Sequence, residues 1–264
     1  MTQESSLDEQ LERAASIVAQ AHYTTALIGA GISVESGIPP FRGPGGLWTK
    51  HGEPPMDGYQ QFLADPAGWW AERLARQSEY SEFAKAIGEA KPNPAHHALA
   101  ELERMGFLKH IITQNIDNLH QEAGSQAITE IHGNRTKMRC IGCNTRWPSA
   151  EFKSEEVPPH CPHCGGLVKN DTVMFGEPIP SDALQSCQRE SQRCDCMLLV
   201  GTSAVVYPAA SFPEIAYHRG ASLIEVNPME TPLSGLCAAI LRAPAGQALS
   251  SLVERLRELT TSKT

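Results

Sequence analysis

Four short apolar runs in this chain each end in small or polar residues, and that recurrence limits the possible folds more than any other feature. Thr24–Ile28 leads into Gly29-Ala30-Gly31, and residues 107–113 lead into Gln114-Asn115-Ile116-Asp117. Residues 197–200 lead into Gly201-Thr202-Ser203, and Ser222–Val226 into Asn227-Pro228. Runs of this length and composition read as buried strands. Amphipathic helical segments separate them, and strand–helix alternation builds an α/β domain on a mostly parallel sheet. Open sheets of that kind bind ligands at the carboxyl ends of their strands, so the polar loops are expected to gather there.

The first loop is the most informative. Glycine lacks the Cβ that would block close backbone approach, and free N–H groups followed by a helix start suit a pyrophosphate. The dehydrogenase fingerprint nevertheless fails: Val34 stands where its third glycine would fall, and Thr49 where an acidic residue is needed. The loop reads as dinucleotide-binding without hydride transfer.

A second constellation rests on spacing alone. Cys140 and Cys143 form one Cys-x2-Cys pair, Cys161 and Cys164 another, with residues 144–160 between them. Two such pairs are the pattern of a tetrahedral Zn²⁺ site. The intervening segment, with Trp147, Pro148, Pro158 and Pro159, is too polar to fold without metal. His160 and His163 flank the second pair, but four thiolates already fill the shell and leave no open position, so the zinc is expected to be structural. A nucleic-acid-binding ribbon is the competing reading. The balance of 22 basic and 30 acidic residues, net charge −8, argues against it. Eight cysteines in a chain long enough to bury a large core do not need to be disulfides. With no long apolar run and a polar start, the expected location is cytoplasmic, with no membrane or direct nucleic-acid partner.

The remaining segments read mostly as scaffold. Ser6-Leu7-Asp8-Glu9 has capping-box spacing, and Leu7, Leu11, Ala14 and Val18 then share a helical face. Residues 43–95 open on Gly43-Pro44-Gly45-Gly46, a candidate lid, and continue through Pro54-Pro55 into one helical segment over roughly 60–88. Lys91-Pro92-Asn93-Pro94 breaks it, and a helix over 95–105 ends at Gly106. His96, His97 and His120 fall on helices and read as structural. Cys194 and Cys196 precede a buried run and are expected on opposite faces of a strand, sharing no metal. A last helix carries Leu249, Leu252, Val253 and Leu256 on one face.

Fourteen residues from Gly29 to Arg42, with Ile32-Ser33, Ser36-Gly37-Ile38-Pro39 and Phe41-Arg42, resemble the signature of the sirtuins, the Sir2 family of NAD-dependent protein-lysine deacylases. Gln114-Asn115-Ile116-Asp117-Asn118-Leu119-His120 resembles a second family motif, with Asn118 where glycine is usual, a residue that tolerates left-handed backbone. His132-Gly133, Thr172-Val173-Met174-Phe175-Gly176-Glu177 and Gly201-Thr202-Ser203 continue the resemblance, which is to prokaryotic members. It implies a Rossmann-like domain from residues 1–135 and 171–264, with the helical and loop insertion at about 43–95, and a small zinc module at 136–170. NAD⁺ as co-substrate would contact Gly29, Ala30, Gly31, Ile32, Ser33, Pro39, Phe41, Arg42, Trp48, Gln114, Asn115, Ile116, Asp117, His132, Gly201, Thr202, Ser203, Asn227, Pro228, Met229 and Ala245.

The implied activity transfers the acyl group of an acylated protein lysine to ADP-ribose and releases nicotinamide. Asn115 and Asp117 would sit in the nicotinamide pocket, and His132 would be the general base on a ribose hydroxyl. Val173, Phe175, Gly176 and Glu177 would meet the substrate peptide as an added strand, with Lys169-Asn170-Asp171 standing where arginine-proline is common. An ADP-ribosyltransferase or NAD glycohydrolase, and a non-catalytic NAD-binding scaffold, remain as alternatives. Family members that remove acidic acyl groups carry a tyrosine and an arginine three apart; Trp70 and Arg73 stand there, so neutral acyl groups are expected to be preferred.

Overall fold

The computed structural model describes residues 6–42, 45–75 and 82–261. α1 (Leu7–Gln20) starts at Ser6, whose hydroxyl accepts from Glu9 N–H while the Glu9 carboxylate accepts from Ser6 N–H, both halves of a capping box. β1 (Thr24–Ile28) is buried along its whole length, and the loop after it winds into a 3₁₀ helix, Ala30–Ser36. The next segment is not one helix. It divides into α2 (Leu47–His51), α3 (Gly58–Ala64), α4 (Pro66–Ala75) and α5 (Glu82–Glu89). The break before α4 is local: Pro66 has no N–H to give to α3 and suits a first helical position. The Asp65 carboxylate then accepts from Gly68 N–H at 2.8 Å, starting α4 anew. Gly43 and Pro44 of the candidate lid lie outside the described residues.

α6 (Pro94–Arg104) is capped by Asn93, β2 (Leu108–Thr113) follows, and α7 (Leu119–Glu122) begins at Asn118, whose φ of 72° is left-handed as that residue type allows. β3 is Ile128–Glu130. Then come β4 (Lys137–Cys140), β5 (Arg146–Pro148) and β6 (Val168–Asn170), a separate antiparallel sheet in the order β5-β4-β6. α8 (Ser181–Arg193), β7 (Cys196–Val200), α9 (Ser211–His218), β8 (Ser222–Val226), β9 (Ala239–Leu241) and α10 (Ala245–Thr261) complete the chain.

The main sheet is parallel throughout, in the order β3-β2-β1-β7-β8-β9. The chain runs outward from β1 in one direction, then returns to place β7 on the other side of β1. That reversal is the topological switch point of a doubly wound fold, where a crevice opens beyond the strand ends. Register brings the ends level: Ile28 lies opposite both Thr113 and Val200, Val200 opposite Val226, and Val226 opposite Leu241. The polar residues following each strand are therefore side by side.

Alternation along the strands fills two layers. Ala26, Ile28, Leu198 and Val200 face α1, α6 and α10, while Leu27, Met197 and Leu199 face the layer holding Cys187, Phe212 and Ala216 of α8 and α9. Cys194 and Cys196 belong to these opposite layers, though not because they alternate along a strand. Residues two apart in one strand share a face; Cys194 caps α8 before β7 begins. His96 and His120 are fully buried with ring centroids 5.0 Å apart, and burial pushes them down to about 3 and about 4. A third core joins Phe62 of α3 and Trp70 of α4 to Met138, Cys140, Cys161 and Val168. The small sheet thus shares its interior with helices from residues 58–75. Among the described residues no helix is long and apolar enough to cross a membrane.

Candidate active site

The floor of the crevice is a contact between two glycine loops. A Cβ on Gly29 would lie 2.7 Å from the Gly201 carbonyl oxygen, and one on Gly31 would lie 2.7 Å from Gly201 Cα. Gly201 itself has φ +58°, and its Cβ would reach within 2.4 Å of Ile32 N. These glycines are needed first because the loops after β1 and β7 touch. Two N–H groups of this loop are also used within the protein: Gly29 donates to Val200 O at 3.0 Å and Gly31 to Gly201 O at 2.8 Å. The Ile32 side chain is fully buried in the core, and its carbonyl accepts from Asn93 Nδ2 at 2.7 Å.

Ser33 binds the first loop to the second. Its buried hydroxyl donates to Asp117 Oδ2 at 2.7 Å and accepts from Asn115 Nδ2 at 3.2 Å. The other Asp117 oxygen accepts from Leu119 N–H at 3.1 Å, and Thr113 Oγ1 accepts from Asn115 N–H at 3.1 Å. A carboxylate, an amide and a hydroxyl are therefore fixed together at the carboxyl end of β2, with Asp117 only 6% exposed. Behind them Asn118 Oδ1 accepts from Asn134 Nδ2 at 2.9 Å, joining this loop to the one that carries His132.

His132 is half-buried just past β3, with Nδ1 3.2 Å from the Gln114 carbonyl oxygen. A carbonyl can only accept, so Nδ1 carries the proton and Nε2 keeps its lone pair. Burial lowers the pKa of this imidazole, and the hydrogen bond to Gln114 opposes that in part. A general base acts unprotonated, so kcat/KM is expected to stay flat from pH 7.5 down through the ordinary imidazole value of about 6.5 and to fall only below it. A pH–rate profile whose acid limb already begins above that value would contradict a lowered pKa for His132.

Gln114 continues the line, donating to Thr202 Oγ1 at 3.0 Å and to Ile28 O at 3.2 Å, and Asn227 Nδ2 donates to Thr202 O at 3.2 Å. Ala30, Pro39 and Ile116 are half-buried along the crevice, while Ser203, Pro228 and Met229 are exposed at its rim. Ala245 is buried at the start of α10. Its neighbour Gly246 N–H donates to Glu35 Oε2 at 2.7 Å, tying the start of α10 to the first loop.

An aromatic wall rises beside the floor. Phe41 lies 5.1 Å from Trp48 and 5.7 Å from Phe83, and Trp48 lies 5.7 Å from Phe175, between ring centroids. The Arg42 guanidinium sits 4.2 Å over the Trp48 ring and 3.1 Å from Glu53. Val173 N–H donates to the His132 carbonyl at 2.9 Å, bringing the segment expected to meet peptide against the histidine. The side chain of its last member, Glu177, is buried: it pairs with Lys169 at 2.9 Å and with Arg139, and accepts from Met174 N–H at 2.8 Å. A carboxylate so neutralised anchors the segment. Trp70 also turns away: its indole N–H donates to Val168 O at 3.2 Å inside the third core, while Arg73 lies 5.5 Å over the Trp69 ring.

The four cysteine sulfurs lie within 4.8 Å of one another. The Cys140–Cys164 and Cys143–Cys161 separations are 3.5 and 3.7 Å, near the edge of roughly 3.8 Å that follows from tetrahedral Zn–S bonds of about 2.3 Å. His163 stacks on Trp147 and His160 pairs with Glu156, so neither is drawn to the sulfurs. The donor set fits one structural zinc. The partner that sequence reading missed is Asn93, which holds the first loop through Ile32 O and through Ser36 Oγ at 2.9 Å. An asparagine directly before proline is itself a helix-cap signal and could have been found.

Comparison with known proteins bears on the whole of this arrangement. The family model described as the Sir2 family matches residues 29–208. An NAD-dependent protein deacylase of Thermococcus kodakarensis is 41% identical over 259 residues, covering 96% of this chain and 98% of the relative. A mutant Sir2 homologue solved with ADP-ribose superposes with a TM-score of 0.79 at 40% identity, covering 95% of this chain and 98% of that one. A Sir2 structure with a peptide and NAD⁺ superposes at 0.73 with 33% identity, covering 98% and 100%.

Proposed function

The chain belongs to the Sir2 family, and we propose that it is an NAD-dependent protein-lysine deacylase working through His132. The observation that carries the residue assignment is the His132–Gln114 hydrogen bond, which leaves Nε2 as a proton acceptor on the same edge as the Ser33–Asn115–Asp117 group. The residues at that edge fit a dinucleotide. A fixed amide and carboxylate suit the carboxamide of nicotinamide, and the rim at Ser203 and Asn227 suits the adenosine half. When bound, NAD⁺ supplies a ribose carbon that exchanges nicotinamide for the acyl oxygen.

The chain's own residues do the rest. Asn115 and Asp117 orient the nicotinamide amide. Phe41, Trp48 and Phe175 exclude water from beside the acyl-lysine. His132 Nε2 takes the proton of a ribose hydroxyl as that oxygen attacks the acyl carbon, a step an imidazole performs well near neutrality. The zinc holds the small sheet and takes no chemical part. In this reading residues 136–170 form the zinc module and 1–135 with 171–264 the dinucleotide domain. Four of the cysteines are grouped to hold a metal as thiolates, which suits a reducing, cytoplasmic setting.

Mass spectrometry of acyl-lysine peptides incubated with NAD⁺ tests the function. Free lysine peptide, nicotinamide and acylated ADP-ribose should appear together. NAD⁺ consumption that is the same without peptide would instead mark a glycohydrolase. Among acyl groups, acetyl peptide should exceed succinyl peptide in kcat/KM by about tenfold, since no buried guanidinium–hydroxyl pair meets an acyl carboxylate among the described residues of α4. A succinyl preference abolished by Arg73→Met would reverse that expectation.

A further inference from the structure

We propose that Arg242 is a positioning residue for the NAD⁺ reaction, fixing the 227–234 loop so that Asn227 stays on the Thr202 carbonyl. This rests on the function proposed above. Arg242 is the first residue after β9, and register sets it beside Asn227, the first residue after β8. Its Nη1 donates to the Asn227 carbonyl at 3.1 Å and to the Met229 carbonyl at 3.0 Å, and its Nη2 to Ser234 Oγ at 2.8 Å. The same guanidinium pairs with Glu225 Oε2 at 2.6 Å.

Glu225 explains why a charge is present. It is 1% exposed near the carboxyl end of β8, and it accepts from Ser234 Oγ at 2.6 Å and from Thr231 Oγ1. The loop has no regular structure between β8 and the turn at Ser234–Leu236, so its shape rests on this cation and this anion. Only a planar fork with several fixed donors can reach two carbonyls, a hydroxyl and a carboxylate together; a lysine ammonium cannot.

The consequence travels along hydrogen bonds. Arg242 holds the Asn227 backbone, and Asn227 Nδ2 reaches Thr202 O. Gln114 donates to Thr202 Oγ1, and the Gln114 carbonyl holds His132. The far end of this line is the rim assigned to adenosine, and its near end is the base. A loosened rim removes binding shared by ground and transition states, so it raises KM and leaves kcat nearly unchanged.

Two variants test the proposal. Arg242→Lys keeps a cation near Glu225, and the double variant Glu225→Gln with Arg242→Gln removes both charges, so neither leaves a buried carboxylate without a counter-charge. In both, KM for NAD⁺ should rise about tenfold, with kcat and peptide KM within about twofold, and ADP-ribose affinity measured by calorimetry should fall in parallel. In an Asn227→Ala background, Arg242→Lys should add less than about twofold. Folded variants with wild-type KM for NAD⁺, or with a lowered kcat at constant KM, overturn the proposal alone. A wild-type chain that neither binds ADP-ribose nor consumes NAD⁺ overturns the underlying function as well, and shows itself before any variant is made.

Discussion

A His132→Ala variant should lose about 10²–10⁴-fold in deacylation rate while binding NAD⁺ within several-fold of the wild type. The split between rate and affinity follows from where the imidazole stands. Among the described residues its only hydrogen bond is from Nδ1 to the Gln114 carbonyl, and it takes no part in the Ser33–Asn115–Asp117 group. Removing the ring deletes the proton acceptor, yet leaves untouched the amide and carboxylate that would hold nicotinamide. The glycine contact beneath them also survives. The measurement is single-turnover deacylation beside calorimetric NAD⁺ binding. Near-wild-type turnover would remove His132 from the mechanism, and an equal loss of binding would make it a scaffold residue.

Removing the metal should be at least as damaging, by a different route. One zinc per chain is expected by elemental analysis, and Cys140→Ala or strong chelation should release it and abolish activity. Structural zinc contributes apparent free energies of about 10–16 kcal/mol in small zinc-finger peptides, comparable to an ordinary domain's whole stability. The loss should not stay within the small sheet. Cys140 and Cys161 pack in one core with Phe62 of α3 and Trp70 of α4. The neighbouring Tyr59 N–H holds the Phe175 carbonyl at 3.0 Å, at the aromatic wall. Trp69, Trp70 and Trp147 all belong to or border that core, so tryptophan emission should shift to the red as activity falls. Full activity in a zinc-free, folded chain would contradict this.

What could be read from sequence was what is local. Cys-x2-Cys pairs bring their own geometry, and short apolar runs ending in polar residues announce strand ends whatever their neighbours. Partnerships between distant segments could not be read that way. Gly29 and Gly31 were recognisable as glycines that something must approach, but that the approaching group is Gly201 depends on strand order. Glu177 looked like part of a peptide-facing motif, and only the fold brings Arg139 and Lys169 to it. Trp70 stands by resemblance where some family members carry a tyrosine for acidic acyl groups, and only the fold shows its indole N–H held by the Val168 carbonyl. The break between α3 and α4 was missed although Asp65-Pro66 is a local signal, because a continuous helical pattern outweighed one proline.

The placement of β1 between β2 and β7 also dictates when, during synthesis, this protein can exist. β2 follows β1 closely in the chain, whereas β7 arrives only after β3, the zinc-binding segment and α8 have been made. Until then one full edge of β1, five buried residues with unpaired backbone, has no partner. Such an edge invites pairing with other chains, and parallel pairings across long separations form slowly. A product ending before residue 196 would already contain Asn115, Asp117 and His132, yet no Gly201 to close the floor against Gly31. Truncated chains should therefore be insoluble and inert rather than partly active, and a nascent chain halted there would be a natural client for chaperones.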